Sequence, residues 1–241
     1  MRERIPLFAG LTLLALAIAL GSVFVAGGIR DRNRGGDVIT VTGSAKKRIV
    51  SDYIVWDATL SSNEPTAAAA LSELTGWTTR VRAFFRQQGV KTGELTLEPI
   101  ETAPPGSIDE NGARVKGYRL TRSFEIRSTR VRSIAAVAEQ SSALLAHGVP
   151  LAAEPPQYVY TKLPSLRPSL LAAATKDAQH RAEVFLAASG ARLGALRGVD
   201  VGVFQVTSPN STEVSDYGEY DTTTLPKDVT AVVNVTFGLR H

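Results

Sequence analysis

Groups able to act as nucleophiles or proton carriers are scarce in this chain. Its 241 residues include three histidines, His147, His180 and His241, and no cysteine. A hydrolytic triad needs a nucleophile, a base and an acid that orients the base, and none of the histidines has a recognisable partner set. His147 beside Gly148 reads as a basic residue at a helix C-terminus, where positive charge is favoured. His180 stands among charged neighbours and reads as solvated. The lack of cysteine excludes disulfides, thiolate metal sites, a thiol nucleophile and a lipidated N-terminal cysteine. There is no G-x-S-x-G elbow, Walker A loop, H-E-x-x-H pair or dinucleotide glycine fingerprint. Gly190, Gly194 and Gly198 recur every four residues and read as a helix cap and turn rather than a phosphate cradle. Neither catalysis nor a bound cofactor is expected.

Two other features stand out. Glu213, Asp216, Glu219 and Asp221 lie close together with Tyr217 and Tyr220. Hard cations take several oxygen ligands at once, but this spacing is not that of an EF-hand loop. An ordered or subunit-contacting loop, a plain solvated hairpin and a weak metal site all fit the composition, and no metal is expected. Arg122 is the second feature. Alternation over 115–127 puts Tyr118, Leu120, Phe124 and Ile126 on one face, and Arg122 falls on it too. A charge there must be paired, exposed at an interface, or moved off the face by a bulge or register shift.

The elements that would position these residues follow from periodicity. Ile39 and Val41 alternate with threonines, and Ile54, Trp56, Ala58 and Leu60 alternate with Tyr53, Val55, Asp57 and Thr59, which predicts two strands. A helix is expected to open near Asn63, with Pro65 in its first turn. Its stripe is Leu71, Leu74, Trp77, Val81, Phe84, Phe85 and Gln88, and Gly89 ends it. Strands are expected at about 93–102 and 115–127 around the loop APPGSIDENGAR. A second helix begins after Ser128 or Thr129, carries Val131, Ile134, Val137, Ala138, Leu144 and Leu145, and stops at Gly148. A strand around 151–162 holds Pro155 and Pro156 and suits an edge or bulge. A third helix runs from Pro168 to Gly190 with Leu171, Ala174, Ala178, Ala182, Phe185 and Leu186 inward. Strands at about 196–207 and 228–240 close the chain. The expected order, ββαββαβαββ, is that of an α+β protein with helices on one face of largely antiparallel sheets. Two interleaved two-layer α/β sandwich sub-domains fit a body of this length.

The net charge of +4 arises from 27 basic and 23 acidic residues. Five basic and two acidic residues fall in 1–34, which leaves 22 against 21 for the rest. A nucleic-acid binder needs a basic face on its folded part, so no nucleic acid is expected as a partner. Residues 5–29 carry no charge. As a helix the run would span about 37 Å, more than the roughly 30 Å hydrocarbon core of a bilayer. A retained anchor fits that length, and a cleaved signal peptide is the competing reading. Arginines flank the run on both sides (Arg2 and Arg4; Arg30, Arg32 and Arg34), so charge does not set its orientation. Residues 1–37 thus read as anchor and linker, and 38–241 as one body.

Several stretches together resemble one family. They are ITVTGSAKKRIVSDYIVWDATL at 39–60, VKTGELTLEPI at 90–100 and KGYRLTRSFEIRSTRVRSIAAV at 116–137. ATKDAQHRAEVFLAASGARLGAL at 174–196, GVFQVTSPNSTEVSDYGEYD at 202–221 and DVTAVVNVTF at 228–237 complete the set. In that order they are similar to the bacterial SIMPL-domain family (domain of unknown function 541), and to its membrane-anchored subgroup. Ser51 stands where the family usually has proline before the aspartate, here Asp52. The resemblance implies a two-sub-domain α+β fold and export, with the body in the periplasm and a single pass through the bacterial inner membrane. It also implies large homo-oligomers and a stress-related role in the envelope, and it supplies no defined activity. The expected partners are further copies of the chain, in a homo-oligomer of closed cyclic symmetry, and the lipid bilayer, through 5–29. Tyr217, Tyr220 and Asp216 in the acidic loop, with Tyr158 and Tyr160 in the proline-containing strand, are the candidate oligomer contacts: tyrosine suits a partly wet interface and an edge strand offers unpaired backbone. The alternative is a periplasmic ligand-binding protein or hydrolase with an unrecognised site.

Overall fold

The computed structural model describes residues 37–108, 112–211 and 217–240. The run 5–29, Glu213, Asp216 and His241 lie outside them. Among the described residues no helix is long and apolar enough to cross a membrane. The chain is mixed α/β. In order, its elements are β1 (Val38–Val50), β2 (Tyr53–Glu64), α1 (Ala67–Gln87), β3 (Leu95–Leu97), β4 (Glu101–Ala103) and β5 (Tyr118–Ser128). There follow α2 (Val131–Gln140), α3 (Ala143–Ala146), β6 (Ala152–Ala153), β7 (Gln157–Val159), α4 (Leu163–Ala187), β8 (Arg192–Val201), β9 (Gln205–Thr207) and β10 (Pro226–Arg240). They form two compact units. The described part of the first is 37–45, 169–203 and 231–240, and the second is 46–168 and 204–230. The divisions fall inside β1, α4 and β10.

The larger unit is built on β2 and β5, which pair antiparallel without interruption from Ile54 opposite Ser128 to Glu64 opposite Tyr118. Short strands flank them, β3 and β4 on β5, β6 and β7 on β2. Period-two alternation places Ile54, Trp56, Ala58 and Leu60 on the buried face. Against it lie Leu74, Val81 and Phe85 of α1 and Val131, Ile134 and Val137 of α2. Trp56 and Phe124 meet Phe85 edge-on, with ring centroids 5.6 and 6.0 Å apart, a geometry that adds about 0.5–1.5 kcal/mol per pair beyond area burial.

Several boundaries differ from the sequence expectation. Asn63 does not cap α1, because pairing with β5 carries β2 through Glu64; Thr66 caps the helix by accepting a hydrogen bond from the Ala69 amide. Leu71 is exposed and Ala70 takes its place in the core. The second helix is broken after Gln140, and Leu145 points to solvent. Pro155 and Pro156 split the expected strand at 151–162 into β6 and β7, since proline cannot donate to a ladder. Gly190 has the positive φ of a helix cap, but Gly194 and Gly198 lie within β8.

In the smaller unit β10 lies between β1 and β8. Its inward residues Val233, Val235 and Phe237 pack with Val41 of β1 and with Ala174, Ala178 and Ala182 of α4. Small residues let the helix lie close to the sheet. A Cβ on Gly43 would sit 2.2 Å from the Ala174 carbonyl oxygen and 2.5 Å from the Ala178 nitrogen. Nearby, the Ser44 amide donates to Asp177 at 2.9 Å. The helix is thereby held over β1 and β10. Phe185, expected inward, is exposed near its end.

Two glycines give opposite expectations. Gly43→Ala would push β1 from α4 against backbone atoms and should cost about 1–3 kcal/mol. Gly76, inside α1 with nothing within 4 Å of an added Cβ, should gain up to about 1 kcal/mol on change to alanine. Urea denaturation of the two variants checks both signs.

Candidate functional site

Several charged side chains of the larger unit are paired into local braces. Glu94, in a short 3-10 turn (Thr92–Glu94), accepts from Arg130 through both oxygens and from the Ser128 hydroxyl at 2.6 Å. Arg130 also reaches the Gly89 carbonyl at 2.9 Å. Bonding to the guanidinium holds the Glu94 carboxyl at about 2, against the usual 4.5, despite partial burial. Arg48 forks onto the buried carboxylate of Asp228 at 2.9 and 3.1 Å and holds it below the usual range. Asp52 accepts from the Thr161 amide and hydroxyl at 2.7 and 3.0 Å just ahead of α4. Burial opposes ionisation there, but those bonds and Lys162 outweigh it. Ser51 donates its amide to the Leu225 carbonyl at 2.9 Å, a bond that a proline at this position would not make.

The acidic segment is organised in the same way. Asp221 accepts from the Thr223 amide and the Thr223 and Thr224 hydroxyls, and from the fully buried Lys227 at 3.3 Å. Burial alone would raise Asp221; the threonine bonds and Lys227 instead hold it well below the usual carboxylate range. Burial pushes the Lys227 ammonium down. Among the described residues no group of three or more histidine, aspartate or glutamate side chains is placed to hold a metal ion.

The tyrosines named from sequence separate into different roles. The Tyr220 hydroxyl accepts from the Tyr160 amide at 2.9 Å and donates to the Tyr160 carbonyl at 3.0 Å, so the two are brought together. The Tyr158 amide donates to the Thr222 carbonyl at 2.7 Å, and its ring packs against the core. The outer backbone of β7 is therefore used within the chain. Tyr217 is 97% exposed, and Asp216 lies outside the described residues. His147 and His180 are both exposed, and His147 lines a groove of about 360 Å³ with Arg80, Phe84 and Leu144. Arg122 stays opposite Leu60 in an unbroken ladder, so no register shift or bulge removes it from the apolar face. Its Nε is buried and has no hydrogen-bond acceptor.

The surface that sequence reasoning missed is β8. Among the described residues its one strand neighbour is β10. Leu196, Val199 and Val201 stand opposite Phe237, Val235 and Val233, so their side chains share the face that α4 covers elsewhere. They are nonetheless 54%, 45% and 49% exposed, and the adjoining Val203 is 41% exposed. An edge strand that leaves apolar side chains in water is a template for another strand, although β8 also carries Arg192, Arg197 and Asp200. The one available signal was the run from Leu196 to Val203, in which every second position from Val199 is valine.

A family model described as SIMPL, protein of unknown function (DUF541), matches residues 39–237. No curated protein matches the chain.

Two variants test these braces. The depressed carboxyl of Glu94 contributes stability that is full above about pH 4.5 and is lost as pH falls toward 2. Glu94→Gln should therefore melt below the wild type at neutral pH, with the gap narrowing between pH 4.5 and 2 in thermal scans. Tyr220→Phe removes both bonds to Tyr160 and should destabilise the fold by about 1 kcal/mol, measured by urea titration, without changing the native mass.

Proposed function

We propose, for a chain that belongs to the SIMPL family, that it is a membrane-anchored periplasmic protein whose body self-associates. Its role is structural, in the bacterial envelope, with the stress-related setting that the family resemblance implies. The observation that carries this reading is the apolar edge of β8, left in water on the single chain. Assembly subunits expose such surfaces, whereas ligand binders converge polar groups on an enclosed pocket. Tethering through 5–29 would raise the local concentration of neighbouring bodies, so modest contacts suffice. The exposed Tyr217 is a second contact candidate.

A ligand-binding reading has one observation in its favour, the groove beside His147, whose volume is within the range of small-molecule sites. His147→Ala separates the two. Assembly and cellular phenotype should both survive it if the protein is structural, whereas loss of phenotype with assembly intact would point to a ligand.

The direct test is the mass of the full-length protein in mild detergent, by light scattering with the detergent contribution subtracted. A multimer is expected, and a monomer at high concentration would overturn self-association. Sequencing the N-terminus of the extracted protein should begin before residue 19 if the anchor is retained. Protease added to spheroplasts should digest the body.

A further inference from the structure

We infer that β8 pairs antiparallel with β8 of a second copy about a two-fold axis at Val199, joining the two sheets edge to edge. This rests on the self-association proposed above and names the surface and register that produce it.

The backbone is ready for such a strand. Beyond the end of β8, the Gly202 amide donates to the Val232 carbonyl. In an antiparallel ladder, hydrogen-bonded and non-bonded pairs alternate. Asp200 opposite Asn234 and Gly198 opposite Thr236 are then the bonded pairs, and the N–H and C=O groups of Val199 and Val201 point away from β10. Natural edge strands are commonly protected by proline, charge, very short length or a β-bulge. Strand β8 has Arg192 at its start and a bulge at Arg197, so the open stretch is the one after the bulge. From Gly198 to Val203 there is no proline and one charge, Asp200.

The strand is also self-complementary. The register passes from Gly198 opposite Thr236 to Leu196 opposite Phe237, so Arg197 is an extra, bulged residue. With the axis at Val199, Val199 meets its own copy, and each Val201 meets the Leu196 of the other chain across that bulge. Apolar side chains then face one another on the side of the sheet that carries α4. Asp200 lies on the opposite side, opposite the exposed Asn234. Arg197 lies on that side too, its Nε 3.1 Å from the position of a Cβ on Gly238. The pairing brings each Asp200 beside the Arg197 of the other chain. An axis at Asp200 would instead oppose two carboxylates, which is destabilising. An axis at Val201 would leave Leu196 and Arg197 without these partners. A two-fold contact of this kind is closed at two copies, so larger assemblies need a further surface.

The absence of cysteine makes the test clean. Val199→Cys and, as a control, Leu145→Cys on an exposed site of the other unit are made in the full-length protein. Both are oxidised with copper phenanthroline in mild detergent. Opposed residues of a bonded antiparallel pair lie about 5.5 Å apart between Cα atoms, within disulfide reach, so Val199→Cys should give at least about tenfold more crosslinked dimer than the control. Val199→Lys, which sets two like charges face to face, should lower the native mass while leaving the melting curve near that of the wild type. If Val199→Cys fails to crosslink while the protein is multimeric, the β8 pairing is wrong and self-association stands. Failure to crosslink in a monomeric protein overturns both. Equal crosslinking of the two cysteines would mean random collision and would also overturn the pairing.

Discussion

The width of one helix decides what the smaller unit leaves uncovered. An α-helix is about 10 Å across and neighbouring strands lie about 4.8 Å apart, so one helix shields roughly two strands. Gly43 admits α4 to near contact with β1, and Asp177 ties it there through the Ser44 amide. The alanine stripe at 174, 178 and 182 therefore lies over β1 and β10. Strand β8 is the third strand: Leu193 near its start packs on the same cluster, and from Leu196 onward the strand lies beyond that cover. Its apolar side chains keep about half of their exposure, and full burial of a valine or leucine is worth about 1.5–3 kcal/mol. A partner strand is the economical way to recover part of that energy without adding a second helix.

The larger unit meets the same problem differently. Two helices, α1 and α2, pack on the long β2–β5 pair, and the flanking strands are short or interrupted by proline. Backbone that would otherwise be open near β7 is taken by Thr222 and the Tyr220 hydroxyl. The ionic braces, Glu94 with Arg130, Arg48 with Asp228 and Asp221 with Lys227, tie turns and strand ends together. Removing one partner of a buried pair is costly, whereas the intact pair adds little net stability. Arg122 is the departure from this pattern, with a buried Nε and no acceptor.

Periodicity made the long elements legible. The stripe of Leu74, Val81 and Phe85 and the alternation of Val229 to Phe237 both lie in the core. What it could not convey was anything decided by the neighbour of an element. Asn63 looked like a cap because the length of β2 is set by β5, where its partner is the distant Arg119. Leu71 and Ala70 compete for one helix face, and only the packing against the sheet chooses between them. The tyrosines suggested an interface by residue type, but two hydroxyl bonds from Tyr220 to Tyr160 are invisible in composition. The strand expected at about 196–207 is β8 (Arg192–Val201) followed by a separate β9 (Gln205–Thr207), and its place at an edge was not legible, since strand order belongs to the assembled sheet. The SIMPL resemblance fixed the family and carried no site with it.

Hydrogen exchange resolved to single amides in the full-length protein, at a concentration where self-association is expected, tests the account most directly. The amides of Gly198 and Asp200 bond to β10 within one chain and serve as an internal reference. If β8 is paired across a two-fold axis, the amides of Val199 and Val201 should be protected to a comparable degree in the assembly. They should lose that protection on dilution to the single chain. Fast exchange at Val199 and Val201 in the intact assembly, with Gly198 and Asp200 still protected, would show an edge open to water and contradict the account.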